Sequence, residues 1–154
     1  MRSSHETREI IRMLDERTVE VSLPSRIGYE RIAMECSASF AKILGLAQER
    51  IEDLRTAVAE ACLNAIEHGN KGRPEARVIV KFSRSDDALG VAVMDEGNGI
   101  GALPEDPDIE RKLENLEPPR GLGIYLIKHL VDQVEFNAAS TEGHTVTMVI
   151  RLAG

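Results

Sequence analysis

The chain is organised around one helical stretch, Glu60-Ala-Cys-Leu-Asn64-Ala-Ile-Glu-His68-Gly69, whose pattern starts near Glu49. Apolar residues recur at steps of three and four and predict one buried face, formed by Leu54, Ala57, Val58, Ala61 and Ala65. Glu60, Asn64 and His68 follow at four-residue intervals and form a second, polar stripe. Such a stripe is most often a solvated surface. Small apolar residues surround this one, so a carboxylate and an amide here would lose solvation that another interaction must offset.

Length and composition predict one soluble globular domain. The chain has 154 residues, of which 42% are hydrophobic and 29% are charged. The net charge of −7 argues against sequence-independent nucleic-acid binding, and no basic run offers a membrane contact. No apolar run approaches the roughly 20 residues that span a bilayer, and the acidic N-terminus does not resemble a signal peptide. We therefore expect a cytoplasmic protein.

The cysteines and histidines predict neither a disulfide nor a zinc site. Cys36 and Cys62 lie in different apolar helical patterns and form no CxxC motif, so we expect buried thiols. The four histidines are scattered and lack the spacing of zinc ligands.

The first half of the chain predicts a strand followed by two helices. Strict alternation over residues 18–23 predicts a half-buried strand. Residues 26–44 are expected to form a helix that ends at Gly45. Its apolar side is predicted to contain Ile27, Ile32, Cys36, Phe40, Ile43 and Leu44. The helix of the polar stripe follows and ends at Gly69.

The second half predicts two strands, a helix and two more strands. Residues 77–83 and 89–95 alternate and are separated by a short linker, which favours an antiparallel hairpin. A helix is expected over 121–131, with strands over 133–138 and 145–152. Because the helices do not alternate with the strands, we predict an α+β fold, in which helices cover one face of a mixed, mostly antiparallel sheet. Residues 18–154 would form a single domain.

Two segments lie outside this regular pattern. Residues 1–17 form an N-terminal extension with room for a short, mostly charged helix. Residues 100–120 have no periodicity, contain four prolines and are rich in acids. A long irregular stretch inside a compact domain is usually a functional lid or a disordered insert.

Two glycine clusters indicate a ligand site. The first, Asp95-Glu-Gly97-Asn-Gly99-Ile-Gly101, follows a strand, and the second, Arg120-Gly-Leu-Gly123, opens a helix. Neither is a GxGxxG or GxxxxGK[ST] motif, and the protein-kinase signatures are absent. A glycine-rich helix entrance can still bind an anion through backbone N–H groups. Asp95 ends a row of apolar strand residues, where an acid requires a partner.

The order and spacing of these motifs resemble the Bergerat-fold (GHKL) ATPases. The chain contains, in order, a helical Glu-x-x-x-Asn, an Asp-x-Gly-x-Gly after a strand, a lid, and a Gly-x-Gly at the start of a helix. The resemblance covers about residues 18–152. The resemblance is strongest to the small bacterial anti-sigma-factor serine/threonine kinases, which are single domains of similar length. It implies that the chain binds ATP and Mg²⁺.

The resemblance also implies roles for residues of the stripe and the first glycine cluster. Asn64 would coordinate Mg²⁺, and Glu60 would be the catalytic general base. Asp95 would accept a hydrogen bond from the adenine amino group. Gly97 and Gly99 would allow close approach to the base and sugar.

The second cluster would bind the phosphates through the backbone N–H groups of Gly121, Leu122 and Gly123, with Arg120 offsetting charge. Many family members also use a threonine of a Gly-Thr pair near the last strand to hold adenine. Here the pair is Gly143-His144, and Thr145 follows one position later. Thr145 remains a candidate for ATP binding, although adjacent strand residues face opposite ways.

Two classes of function follow from the resemblance. The first is a kinase that phosphorylates a serine or threonine of an anti-anti-sigma (STAS-like) protein and sequesters a sigma factor, acting as a homodimer. The second is a non-catalytic or weakly catalytic nucleotide-binding switch that regulates a partner, such as a phosphatase, by contact. Glu60 favours the kinase, because a pure binding module needs no carboxylate beside the metal ligand. A hydrolase without a protein substrate is a third alternative.

Overall fold

The computed structural model describes residues 17–71, 73, 75–97, 120–139 and 143–152, with the side chains of 120–122, 138 and 139 excepted. The predicted N-terminal extension and nearly all of the predicted lid lie outside these residues. We number the helices and strands of the described residues in chain order.

The described residues form the elements β1 Thr18–Pro24, α1 Glu30–Ile43, α2 Gln48–Asn64, β2 Arg77–Arg84, β3 Ala88–Met94, α3 Arg120–Leu130, β4 Gln133–Ala139 and β5 Gly143–Arg151. A π-helical turn, Ala65–Gly69, extends α2. The strand order is β1-β2-β3-β5-β4, and every pairing is antiparallel. This confirms the predicted α+β fold. None of these helices is long and apolar enough to cross a membrane.

The core lies between the central strands and α2. Alternate residues of β2 and β3 are at most 2% exposed, namely Val78, Val80, Phe82, Leu89, Val91 and Val93. The residues between them are half-buried, which confirms the predicted hairpin and its buried face. From α2, Leu54, Ala57, Val58 and Ala61 pack into the same core. Each large aliphatic side chain buried in this way stabilises the fold by about 1.5–3 kcal/mol.

The predicted apolar side of α1 is only partly confirmed, because Cys36, Phe40 and Leu44 pack against the core whereas the three predicted isoleucines do not. The buried residues of this helix are mostly small, namely Ala33, Ser37 and Ala41, together with Glu30. Ile27, Ile32 and Ile43 are 68%, 45% and 79% exposed. Small residues let α1 pack closely against α2, and the isoleucines lie on the outer side. Periodicity alone could not distinguish these two faces, because both repeat at helical spacing.

The ends of α1 agree with the prediction only at the C-terminus. The helix starts at Glu30 instead of residue 26. At the other end Gly45 adopts a left-handed φ of 82°. The N–H of Gly45 donates to the Lys42 carbonyl and that of Leu46 to the Ala41 carbonyl. This is a Schellman motif, which explains why the helix ends at the predicted glycine.

Both cysteines are free thiols, as predicted, but only one is buried. Burial raises the pKa of the Cys62 thiol to about 12, with a smaller contribution from the negative charge of Glu30. Because the thiolate is the reactive form, Cys62 is chemically inert at neutral pH. Cys36 is half-buried, on the outer side of α1.

Candidate active site

A small cavity joins the polar stripe of α2 to the loop after β3. Its volume is about 30 Å³, and it is lined by Ala61, Asn64, Ala65, Val93, Asp95, Ile124, Phe136, His144 and Val146. The cavity therefore brings together two predicted site residues that lie far apart in sequence, Asn64 on α2 and Asp95 after β3. Ile124 comes from α3, so all three parts of the predicted site meet here.

The Asp95 carboxylate is only 7% exposed, and backbone groups satisfy it. Its Oδ1 accepts hydrogen bonds from the N–H of Gly97 at 2.8 Å and the N–H of His144 at 3.1 Å. The backbone N–H of Asp95 in turn donates to the His144 carbonyl at 3.0 Å. The partner that the sequence required for this acid is thus mainly the backbone of two neighbouring segments.

The side chain of His144 covers the same carboxylate. Its Nδ1 lies 3.2 Å from Oδ1 and 3.3 Å from Oδ2 of Asp95. Sequence reasoning had not found this contact. The signal that could have found it is strand alternation, because His144 shares its face with Val146, which packs against the core.

Thr145 is not brought into the cavity lining. It pairs with Met94 on one side and Asn137 on the other. Alternation along β5 directs its side chain to the face opposite that of His144. Its contribution to ATP binding stays a prediction.

Glycines allow the backbone segments around Asp95 to pack closely. A Cβ on Gly69 would overlap the Asp95 carboxylate, and a Cβ on Gly97 would overlap the Gly69 carbonyl. A Cβ on Gly143 would overlap the Asp95 carbonyl, and Gly143 also has a φ of 122° that favours glycine. The end of α2, the loop after β3 and the start of β5 can therefore meet only with glycine at these positions.

The N-terminal turn of α3 packs against the polar stripe. A Cβ on Gly123 would lie 3.0 Å from Glu60 Oε2 and 3.3 Å from Asn64 Nδ2. The first-turn backbone N–H groups, which have no partner within the helix, therefore start beside Glu60 and Asn64. Gly99 and the side chains of Arg120 and Leu122 lie outside the described residues.

The environment of Glu60 raises the pKa of its carboxyl group. Partial burial of the side chain is the larger cause, and the negative charge of Glu67 adds to it. A carboxylate with a raised pKa is a stronger base than one in water. The sequence had predicted that the small residues around the stripe would desolvate this group, and the raised pKa confirms it.

Two features define an ATPase fold of the histidine-kinase type. One is the strand order, and the other is a helix that begins with glycines and packs against Glu60 and Asn64. The chain belongs to the histidine kinase-like ATPase domain family, which matches it over residues 23–150. This confirms the resemblance to the Bergerat-fold ATPases.

Individual relatives indicate the branch of the family. The chain is 34% identical over 143 residues to the serine-protein kinase RsbW of Bacillus pumilus, covering 84% of this chain and 83% of the relative. It is 32% identical over 147 residues to the serine-protein kinase RsbW of Bacillus subtilis, covering 88% and 86%. These matches confirm the similarity to small bacterial serine kinases.

A solved structure shares the fold. The crystal structure of the RsbU and RsbW domains of Rv1364c from Mycobacterium tuberculosis matches with a TM-score of 0.63 at 19% identity. The match covers 88% of this chain and 32% of that one. At this identity the match supports the fold alone.

Proposed function

We propose that this protein binds Mg-ATP and transfers the γ-phosphoryl group to a serine or threonine of an anti-anti-sigma (STAS-like) protein. It would also bind a sigma factor, and the complexes with the sigma factor and with the anti-anti-sigma protein would be mutually exclusive. The observation that carries the proposal is that the start of α3 packs against Glu60 and Asn64, beside a cavity that is lined by Asn64 and Asp95.

The base end of the site fits adenine. Both backbone N–H donors to Asp95 use Oδ1, so Oδ2 is the oxygen with capacity for the adenine amino group. The surrounding Val93, Ile124 and Val146 supply apolar surface for a ring. Because the cavity holds only about 30 Å³, the base must displace neighbouring side chains as it enters. The His144 imidazole, which lies against Oδ2, is the first of them.

The phosphate end of the site fits an anion and a metal ion. Backbone N–H groups at the start of α3 would bind phosphate oxygens, helped by the helix dipole. The Asn64 amide oxygen would be a protein ligand of Mg²⁺, an ion that prefers oxygen ligands and keeps several waters. When bound, Mg²⁺ offsets the charge of the phosphates and holds them in place.

Glu60 lies one helical turn before Asn64 and would accept the proton of the attacking hydroxyl. Only the ionised carboxylate can do so, so the rate should fall as the pH drops through the raised pKa of Glu60. This also argues against a purely non-catalytic switch, which would gain nothing from a desolvated carboxylate beside the metal ligand.

We propose that the protein forms a homodimer through the outer side of α1 and the edge strand β1. A groove of about 590 Å³ lies there, lined by Val19, Arg31, Ile32, Glu35, Cys36, Ser39 and Phe40. Val19 and Ile32 are 46% and 45% exposed. Glu35 also lines the groove but forms an ion pair with Arg55 at 2.6 Å, so the exposed apolar side chains are what favour a protein contact here.

The adenine role predicts a loss of affinity in Asp95→Asn. Asparagine keeps an acceptor for the N–H groups of Gly97 and His144 but directs an NH₂ group at the adenine amino group. A mismatch of this kind costs about 1–3 kcal/mol, so the ATP affinity measured by calorimetry should fall roughly tenfold or more. Asp86→Asn is the matched control, because the Asp86 side chain is 94% exposed and lies far from the site. Unchanged ATP affinity in Asp95→Asn would refute the adenine role.

The metal role predicts that Asn64→Ala weakens Mg-ATP binding more than metal-free ATP binding. Only the first complex includes the lost ligand. Titrations with Mg²⁺ and with a chelator measure the two affinities. Asn137→Ala, an exposed asparagine on β4, should change neither. Equal losses in both titrations of Asn64→Ala would mean that Asn64 is structural.

The catalytic role predicts that Glu60→Gln keeps ATP and partner binding but loses phosphoryl transfer. General-base assistance typically contributes about 10²–10⁴ in rate, and the loss should persist at saturating ATP. Phosphopeptide mapping of the partner captured with ATP measures the transfer. A wild type that binds ATP and its partner but never phosphorylates it would support the switch instead.

Glu67→Gln tests whether Glu60 acts as the catalytic base or has only a structural role. Removing this charge should lower the pKa of Glu60, so the acid limb of the rate profile moves to lower pH while the rate at neutral pH stays unchanged. An acid limb that does not move would contradict Glu60 as the titrating base.

The dimer surface predicts that Ile32→Glu yields a monomer. The new carboxylate would be buried unpaired in the interface and should weaken association by about tenfold or more. Light scattering after gel filtration measures the mass. Ile43→Glu, on the same helix but outside the groove, should remain dimeric, and a dimeric Ile32→Glu would place the interface elsewhere.

A further inference from the structure

Asn70, the first residue after the π-helical turn of α2, is fully buried and polar. Its backbone N–H donates to the Ala65 carbonyl at 2.7 Å, which closes the turn. A buried amide side chain is unfavourable unless it is hydrogen-bonded, so its partners reveal what it holds together.

Both ends of the Asn70 side chain are used, and they join three segments. Oδ1 accepts the backbone N–H of Glu96 at 2.7 Å. Nδ2 donates to the Ser25 hydroxyl and to the Arg77 carbonyl, each at 3.0 Å. One side chain thus ties the end of α2 to the loop after β3, and anchors both to the ends of β1 and β2.

Arg73 contacts the other backbone group of Glu96, its carbonyl, which belongs to the next peptide unit. Its Nη2 donates to the Glu96 carbonyl at 2.8 Å, and its Nε donates to the Asn70 carbonyl at 3.2 Å. Both backbone groups of Glu96 are therefore held from the α2 side. We call Asn70 and Arg73, with their bonds to Glu96, the clasp.

The clasp acts on the residue between Asp95 and Gly97. Arg73 holds the peptide between Glu96 and Gly97, whose N–H donates to Asp95 Oδ1, and Asn70 holds the peptide between Asp95 and Glu96. The clasp therefore fixes the backbone on both sides of Glu96, including one of the donors that orient the carboxylate. We propose that the clasp positions Asp95 for adenine and that Asn70 is its principal residue. This inference rests on the ATP binding proposed above. Asn70 and Arg73 act through Asp95 and make no contact with the nucleotide themselves.

A purely structural role for Asn70 is the competing explanation, because the residue also joins β1 to β2. The two roles predict different values for one ratio, that of the affinities for ATP and for inosine triphosphate (ITP). Inosine triphosphate carries a 6-oxo group in place of the adenine amino group, so a correctly placed Asp95 favours ATP. A structural role would lower the thermal stability without changing the ratio of the two affinities.

The experiment measures the dissociation constants of Mg-ATP and Mg-ITP by calorimetry, for the full chain and at temperatures well below each Tm. The wild type should prefer ATP by roughly tenfold or more. Asn70→Ala should lose most of this preference, chiefly through weaker ATP binding. Arg73→Ala, whose side chain lies nearer the surface, should fold normally and reduce the preference by about threefold.

Ser25→Ala is the matched control. It removes one Nδ2 partner of Asn70 but leaves the bond to Glu96, so it should lower the Tm and keep the ATP preference. The proposal is overturned if folded Asn70→Ala, or Arg73→Ala where Asn70→Ala does not fold, keeps the wild-type ratio. A wild type that binds ATP and ITP equally would overturn the adenine role of Asp95 as well, and one that binds neither would overturn the proposed function itself.

Discussion

The burial of one carboxylate constrains the whole end of the site where adenine binding is proposed. Asp95 continues the row of core residues on β3, where an unpaired charge would be prohibitively unfavourable. Two backbone N–H groups and the His144 ring offset that cost. Backbone donors can approach so closely only where neighbouring residues have no Cβ, which explains glycine at 69, 97 and 143. These three glycines are therefore packing residues.

The end of the site where phosphate binding is proposed depends on the opposite physical condition. Asp95 is surrounded by donors, whereas Glu60 is desolvated beside another acid, so its pKa is raised. A carboxylate held in that state is available to accept a proton, while one saturated with donors is available only to accept a hydrogen bond. The two acids Glu60 and Asp95 thus have different chemical capacities, although a sequence pattern represents both simply as acids at motif positions.

The sequence predicted the sheet and the helix order well because those features depend on local pattern. Alternation in β2 and β3 specifies the buried face residue by residue, and the hairpin linker specifies the pairing. It wrongly predicted that the isoleucines of α1 are buried, since the choice between small and large apolar faces depends on how closely α2 approaches. It gave no indication of Asn70, whose three side-chain partners are 7, 26 and 45 residues away in the sequence. Contacts between residues so far apart in the sequence form only in the tertiary fold, so a local sequence pattern does not indicate them.

The error on α1 and the oversight of Asn70 have a common physical origin. In both cases close packing of small groups decides the structure, and larger or polar side chains take the positions that remain. On α1 that leaves isoleucines facing outwards beside an edge strand, a surface suited to another protein. At the end of α2, the close approach of Gly69 and Gly97 leaves a polar gap between three segments, which an amide with two donors and one acceptor site fills. The same close packing therefore accounts for both the exposed isoleucines of α1 and the hydrogen bonds that hold the loop of Asp95.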